Sequence, residues 1–336
     1  MSSIFGKLFG GQGGKPQDLV LRAYGKLPFY AEYRRLEVAP GVPTMFSQWL
    51  DEGRLARARS VANHPRDAAA TGGVRTSRVV FRWPGAREWV IATIWDSRDS
   101  LGRRFPFVLF VTCPPDWLGE EPLDRAVACL WLHQRFDVLH GRLATLGSGG
   151  DFYRLYQKQL LAPRPDDLAT RTQTLRAQAR QIQADQWLPA AGLGQVPPAA
   201  WSASLMRSVE RWRTAATPAS GPALACPLAA GIDPAVQTLF WLDWLVQVGV
   251  AEKREWSLIT SLPDAGGPGR LYVLLRDLLP GDYQLLSTEA GAYGYVEDLA
   301  QVPAQDPPEG GTPDLAPPAD SLFELLLGRP AAARAD

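Results

Sequence analysis

Between Arg78 and Cys113 the chain alternates dense apolar runs with short polar breaks. Arg78–Trp83 and Trp89–Trp95 are rich in β-branched and aromatic residues, and Pro84-Gly85 marks a turn between them. That pattern predicts a hairpin with a loop longer than two residues. Polar residues 96–104 turn the chain again, and Phe105–Cys113 is an almost unbroken apolar run suited to a buried strand. Three strands in succession with short links predict an antiparallel meander, not βαβ winding.

Upstream, Met45, Phe46, Trp49, Leu50 and Leu55 fall close to a helical period after Pro43. They predict an amphipathic helix to about Arg59, followed by a polar, small-residue loop over 60–75. Downstream, Pro122 fits the first turn of a helix reaching Leu146. Its apolar residues Val127, Leu130, Trp131, Phe136, Leu139 and Leu143 spread over more than one face, so both sides are expected to be covered. A short helix follows over Phe152–Leu161, then a far more polar one over 166–187. There Leu168, Leu175 and Ile182 recur every seven residues, with Thr172 and Ala179 between them. The seam is narrow, as in a helix touching one neighbour, and fits either a packed hairpin arm or a partner-binding helix. Trp201, Leu205, Val209 and Trp212 form another helical stripe.

Residues 214–223, with Pro218, Gly221 and Pro222, mark the clearest internal boundary. Beyond it Asp233 is placed to cap, and Pro234 to begin, a helix through Val248 that Gly249 stops. Strands Trp256–Leu262 and Leu271–Leu275 follow, across a glycine-rich loop. Residues 303–320 are rich in Pro, Gly and Asp and read as a linker before a small docking helix at Ser321–Leu327. The expected class is α/β of the α+β type, a mainly antiparallel sheet flanked by helices, with a second, smaller C-terminal α/β module. The divisions are a flexible arm at 1–19, a first domain with a helical extension at 20–215, the module at 224–300, and a linker with a terminal helix at 301–336. Helix-then-hairpin occurs at 43–113 and again at 234–275, which leaves an internal duplication open.

Bulk composition narrows the function classes. Lys plus Arg is 35 and Asp plus Glu is 35 in 336 residues, so no overall charge attracts nucleic acid or an acidic membrane. Three cysteines without a CxxC pair suit reduced thiols and argue against a disulfide framework. No stretch reaches the roughly 18 apolar residues that cross a bilayer, and the richest, Leu239–Val250, contains Asp243. The first residues have no apolar core followed by a cleavage site, so a cytoplasmic protein is expected. Most of the twelve tryptophans are expected in the core, with the rest as interface anchors.

Familiar chemistry is not apparent. The Gly10–Lys15 stretch fails as a phosphate loop, because Phe9 stands at the first glycine position and Pro16 replaces the hydroxyl. His64, His133 and His140 lack metal-ligand spacing, and Leu146–Gly150 lacks that of a nucleophile elbow. Cys129 lies in an apolar helix, where a thiol packs inertly. No catalytic, cofactor or metal site is expected.

What remains is polar and local. Asp96-Ser97-Arg98-Asp99 with Gly102-Arg103-Arg104 is the concentrated polar feature between buried strands. Its charges either hold the turn together or present a recognition surface. In Gly25-Lys26-Leu27-Pro28 the glycine and proline shape the backbone, and Lys26 supplies the free head group. Lys26, Asp99, Arg103 and Arg104 are the candidate partner-binding residues, because a core needs charged heads least.

The order and spacing of Tyr24–Pro28, Trp49-Leu50 and Ser97–Phe107 resemble the TagF (ImpM) family, accessory proteins of bacterial type VI secretion. TagF-like proteins open with Gly-Lys-Leu-Pro, continue with an aromatic helix containing Trp-Leu, and later carry Ser-x-Asp-x-x-Gly-Arg-x-Phe-Pro. Trp256-Ser257-Leu258, Leu278-Leu279-Pro280 and Leu285-Leu286 look similar to the family's C-terminal segments. The family's Gly-Asp-Phe after the proline is here Phe29-Tyr30-Ala31-Glu32-Tyr33, so the role of that acid is not carried over, while Asp99, Gly102 and Arg103 match. The resemblance implies a cytoplasmic α/β domain similar to longin or profilin-like folds, without catalysis or cofactor. It implies restraint of type VI secretion after translation, through binding of the forkhead-associated scaffold protein Fha at the inner-membrane complex. Such restraint is as strong as the preference for the partner's inactive state. A structural or assembly-chaperone subunit of that complex is the alternative, and a hydrolase using His133 or His140 is a third.

Overall fold

The computed structural model describes residues 19–36, 41–63, 76–83, 85–143, 145–146, 148–157, 167–214, 223–250, 256–262, 269–286, 295–301 and 321–327. Its strands are β1 (Arg22–Gly25), β2 (Arg34–Leu36), β3 (Ser77–Arg82), β4 (Trp89–Trp95), β5 (Phe107–Cys113), β6 (Ala223–Leu228), β7 (Ser257–Ser261), β8 (Gly269–Leu274) and β9 (Val296–Asp298). The helices are α1 (Val42–Asn63), α2 (Pro115–Leu118), α3 (Pro122–Leu143), α4 (Gly149–Gln157), α5 (Leu168–Arg180), α6 (Ala184–Ala190), α7 (Pro198–Thr214), α8 (Pro234–Gln247) and α9 (Leu322–Leu327), with a 3₁₀ segment at Pro280–Leu286. The class is α+β, as the pattern predicts.

All nine strands lie in one sheet, ordered β2-β1-β5-β4-β3-β7-β8-β6-β9. Every pairing is antiparallel except that of β6 with β9. The β3-β4-β5 meander forms as expected, and β7 joins it by pairing Ile259 with Val79. Strands from before and after residues 215–222 thus share one hydrogen-bonded sheet.

Helices cover both faces, which is why β4 and β5 read as continuous apolar runs rather than alternating ones. On one face Tyr24, Phe81, Ile94 and Phe110 meet Phe46, Trp49 and Leu50 of α1 and Tyr283 and Leu286 of the 3₁₀ segment. On the other, Ile91, Leu109, Leu271 and Val273 meet Leu132 and Phe136 of α3 and Leu239 and Trp241 of α8. The helices of the two helix-then-hairpin stretches therefore sit on opposite faces. A two-fold axis perpendicular to the sheet between β3 and β7 keeps each face on itself, so it does not relate α1 to α8.

Several elements depart from the sequence reading. The expected 166–187 helix is two helices, α5 and α6, broken at Gln181–Gln183. The break swings Trp187 into a cluster with Trp201 and Trp241, at ring separations of 5.7 and 6.0 Å, where its indole donates to Gln237 Oε1 at 2.8 Å. Nor does α5 touch a single neighbour: it packs against both α8 and α3. Arg176 grips the fully buried Asp243 of α8 with Nε and Nη2 at 2.9 and 2.8 Å, and Arg180 Nε adds a third bond at 3.1 Å. Seam spacing alone carries no trace of that ion pair. The strands β1, β2, β6 and β9 were not expected, since each is short or broken by Gly or Pro.

Other expectations hold. Asp233 caps α8, accepting from Ala235 N at 2.9 Å, with Pro234 in the first turn. Of the twelve tryptophans, all but Trp83 are buried. Among the described residues no helix is long and apolar enough to cross a membrane. Residues 1–18 of the expected arm, 64–75 of the expected loop, His64, Pro84, 158–161, 215–222, 263–268 and the expected linker at 302–320 lie outside the described residues. Residues 60–63, expected in that loop, continue α1.

Candidate functional site

Gly25 ends β1 opposite Phe107 with φ +122°, and a Cβ there would stand 2.0 Å from the Pro106 carbonyl oxygen. Only glycine lets the two backbones meet this closely. The approach carries Lys26 beneath the turn that joins β4 to β5. Ser97 Oγ donates to Lys26 O at 2.7 Å, tying the two segments together.

Asp99 is the centre of that turn. Its Oδ1 accepts from Leu101 N at 3.0 Å and Arg103 N at 2.8 Å. Its Oδ2 accepts from Lys26 Nζ at 2.8 Å and Arg103 Nε at 2.7 Å. A carboxylate that satisfies turn amides two and four residues on is the usual reason for an acid at such a position. Gly102, at φ +78°, donates to Asp99 O at 2.9 Å, and Arg98 bridges Arg104 across the turn. Ser100 N donates to Tyr30 O at 2.9 Å, and Arg103 Nη2 donates to Ala31 O. Residues 24–33 and 97–107 are thereby one hydrogen-bonded unit. Phe105 and Tyr33 close it with rings 4.6 Å apart, and Lys26 Nζ lies 5.0 Å from the Tyr33 ring centroid.

Burial works against the charged form of Asp99. The bonds from Lys26, from the backbone and side chain of Arg103 and from Leu101 overcome it and hold the carboxyl well below the usual range. The site is an ionised carboxylate between two cations.

Three of the four sequence candidates therefore meet at one oxygen pair, while Arg104 stands apart. Lys26 and Asp99 are buried, contrary to the expectation that their charged heads are the ones a core needs least. The reason is local: amides in a turn wedged between buried strands need an acceptor, and a buried carboxylate needs a cation. Arg103 bonds inward with Nε, yet its side chain is 56 % exposed. Arg104 is exposed and has no side-chain partner among the described residues. Sequence reasoning placed Arg98 in the polar turn without making it a candidate and passed over Leu101; both are exposed, Leu101 by 67 % at the tip. An apolar residue between a turn's acid and its glycine was the available signal.

A second buried pair lies under α1. Arg276 Nη1 and Nη2 each donate to Asp282 at 2.7 Å, and Asp282 Oδ2 also accepts from Leu279 N at 2.7 Å. Trp49 Nε1 donates to Leu279 O at 3.0 Å, and its ring meets Tyr283 edge-on at 5.5 Å. The Leu278-Leu279-Pro280 segment thus anchors the Trp-Leu helix.

His133 and the three cysteines are buried, and His140 is half-buried. Burial, then Arg78, pushes the His133 imidazole well below its ordinary range, with Nδ1 3.0 Å from Thr93 Oγ1. His140 is likewise lowered by burial and stacks on Trp95 at 4.2 Å. Burial raises all three thiols, that of Cys129 to about 12. Among the described residues no three His, Cys, Asp or Glu side chains gather as metal ligands would.

No family model and no curated protein matches the chain. Among solved structures it is similar to the crystal structure of PA0076 from Pseudomonas aeruginosa PAO1, at 15 % identity and a TM-score of 0.44, over 80 % of this chain and 94 % of that one.

Proposed function

We propose that this chain is a non-catalytic cytoplasmic regulator of type VI secretion. It restrains assembly by binding a forkhead-associated scaffold protein through the turn at 97–104. The observation that carries the reading is that the two segments resembling TagF, 24–28 and 97–107, meet in one locked turn with an outward tip. In this reading Lys26 and Asp99 position the turn, and Arg98, Leu101, Arg103 and Arg104 touch the partner. A tip fixed before binding loses little conformational entropy on docking. An apolar side chain among guanidinium groups suits an apolar socket rimmed by carboxylates. The non-catalytic part is supported by a deprotonated, enclosed His133 and by thiols too weakly acidic to form thiolates near neutral pH.

The test is a deletion strain assayed for secretion, complemented with the wild-type chain or with Leu101→Ser/Arg104→Glu. The expected result is increased secretion on deletion, restraint restored by the wild type and not by the variant, and capture of the purified scaffold by the wild type alone. Unchanged secretion together with no scaffold capture would sink the proposal. Abolished secretion would make the chain a structural or assembly subunit instead.

A further inference from the structure

Beside the turn lies a niche between β2, the edge strand of the sheet, and α1. Tyr24, Tyr33 and Phe105 wall it: Tyr24 stacks on Tyr33 at 6.3 Å and meets Phe105 edge-on at 5.7 Å. Tyr33 is 42 % exposed, so the niche opens to solvent at that ring. Arg35 stands opposite Tyr24 in the β1–β2 register, its guanidinium carbon 5.2 Å from the Tyr24 ring centroid. Arg54 reaches the same aromatic cluster from α1, its guanidinium carbon 5.5 Å from the Phe105 ring centroid. Tyr24 Oη ties the two sides together, accepting from Arg35 Nη2 at 3.5 Å and donating to Asp51 Oδ2 at 2.8 Å. Asp51 and Arg54 are one turn apart on one face of α1.

The charges of this niche do not cancel. Among the described residues no carboxylate pairs with Arg35 or Arg54, and Arg54 Nε is enclosed without an acceptor. In Arg103 and Arg176 the same atom donates to a carboxylate. An enclosed donor left unbonded costs free energy, and the planar fork of a guanidinium matches a carboxylate in shape. Burial, then Asp51, pushes the Tyr24 phenol up to about 12, so it keeps its proton and adds no negative charge. Two cations therefore surround one carboxylate. That balance suits a singly charged anion and sets Asp51 against a doubly charged one. Ring walls beside the forks suit an anion carried among apolar neighbours.

We propose that this niche binds a carboxylate side chain on an acidic segment of a partner protein. The carboxylate takes the forks of Arg35 and Arg54, and an apolar neighbour lies on the Tyr33 ring. The niche adjoins the exposed tip, but the inference does not rest on the secretion reading, because its test uses no secretion component.

The full-length protein with isotope-labelled arginine is titrated with the blocked peptides Leu-Glu-Leu and Leu-Gln-Leu and with inorganic phosphate, and the Nε–H resonances are followed by NMR. Leu-Glu-Leu should shift the Arg35 and Arg54 signals saturably. Leu-Gln-Leu should bind at least about tenfold more weakly, the loss of one charged hydrogen-bonded contact. Arg54→Gln should weaken Leu-Glu-Leu to the level of the glutamine peptide. Equal affinity for the two peptides, no shift at either arginine, or undiminished binding by Arg54→Gln overturns the proposal. Tighter binding of phosphate than of Leu-Glu-Leu would make the niche a site for a doubly charged anion and overturn the carboxylate assignment. If Arg54→Gln does not fold, Arg35→Gln, at an exposed position, takes its place with the same loss expected.

Discussion

Asp99 and Asp282 are the buried carboxylates of two locked segments, the turn between β4 and β5 and the 3₁₀ segment. Asp99 accepts from the amides of Leu101 and Arg103 after it and Asp282 from that of Leu279 before it, and each takes the cation of a residue just past a strand end: Lys26 after β1, Arg276 after β8. They differ in what covers them. Both pairs are enclosed, with side-chain exposures of 4 % and 1 % for Arg276 and Asp282 and 6 % and 0 % for Lys26 and Asp99, but the first lies beneath α1, where the Leu279 carbonyl receives the Trp49 indole. At the Asp99 turn, Leu101 and Arg104 are exposed, and Arg103 bonds inward while 56 % of its side chain stays exposed. The same polar device bolts a helix to the sheet in one place and stiffens an exposed tip in the other. The pair itself does not decide which; the covering layer does.

The largest effect should come from Asp282→Ala. It leaves Arg276 buried without its carboxylate, a change that costs about 3–5 kcal/mol when a buried pair is broken. Calorimetric melting should show it as a large fall in Tm. If Asp99→Ala lowers Tm further than Asp282→Ala does, the pair beneath α1 is not the stronger anchor and the contrast fails.

Gly53→Ala tests the same anchor from the helix side. A Cβ at Gly53 would stand 2.3 Å from Tyr283 Cγ, so α1 lies against the 3₁₀ segment with no room for a methyl group. Overpacking of this kind costs about 1–3 kcal/mol. Tyr283→Leu combined with Gly53→Ala should recover part of the loss, read as a positive coupling in a double-mutant cycle. Additive losses would mean that the helix relaxes away from the contact.

Asp99 gives a pH signature. Its folded-state carboxyl titrates below the unfolded value, so its contribution is fully present above the unfolded value and is lost as pH falls toward the folded one. At pH 7 the wild type should therefore melt above Asp99→Asn, and the gap should narrow as pH drops below about 4. A gap that stays constant from pH 7 to pH 3 would show that the carboxylate's charge is not what holds the turn.

The meander, α3, α8 with its cap, and the placement of most tryptophans were legible because each is stated by residues close in sequence. The short strands β1 and β6 were not. Arg22–Gly25 has four residues ending in a glycine, and its place in the sheet comes from β2 and β5 on either side. The candidate site was half legible. The segment around Asp99 stood out as polar between apolar runs, but its bond to Lys26 spans 73 positions and no local pattern encodes it. Burial of a charge is a tertiary property, and so Lys26 and Asp99 appeared free when they are enclosed. The Arg276–Asp282 and Arg176–Asp243 pairs went unseen for the same reason.

The smallest stability effect belongs to the exposed tip, and it is the one that separates presenting from bolting. Leu101 and Arg104 are exposed, and the turn's geometry is fixed by the Leu101 amide rather than by either side chain. Leu101→Ser and Arg104→Glu, singly or together, should change stability by no more than about 0.5 kcal/mol, as surface substitutions do. Their melting curves should overlay the wild type, while scaffold capture is lost. Asp99→Asn should lower both together, because it loosens the tip by weakening its base. If Leu101→Ser and Arg104→Glu leave capture intact while Asp99→Asn abolishes it, binding tracks the fold of the turn and not its outward side chains. The partner would then contact another surface.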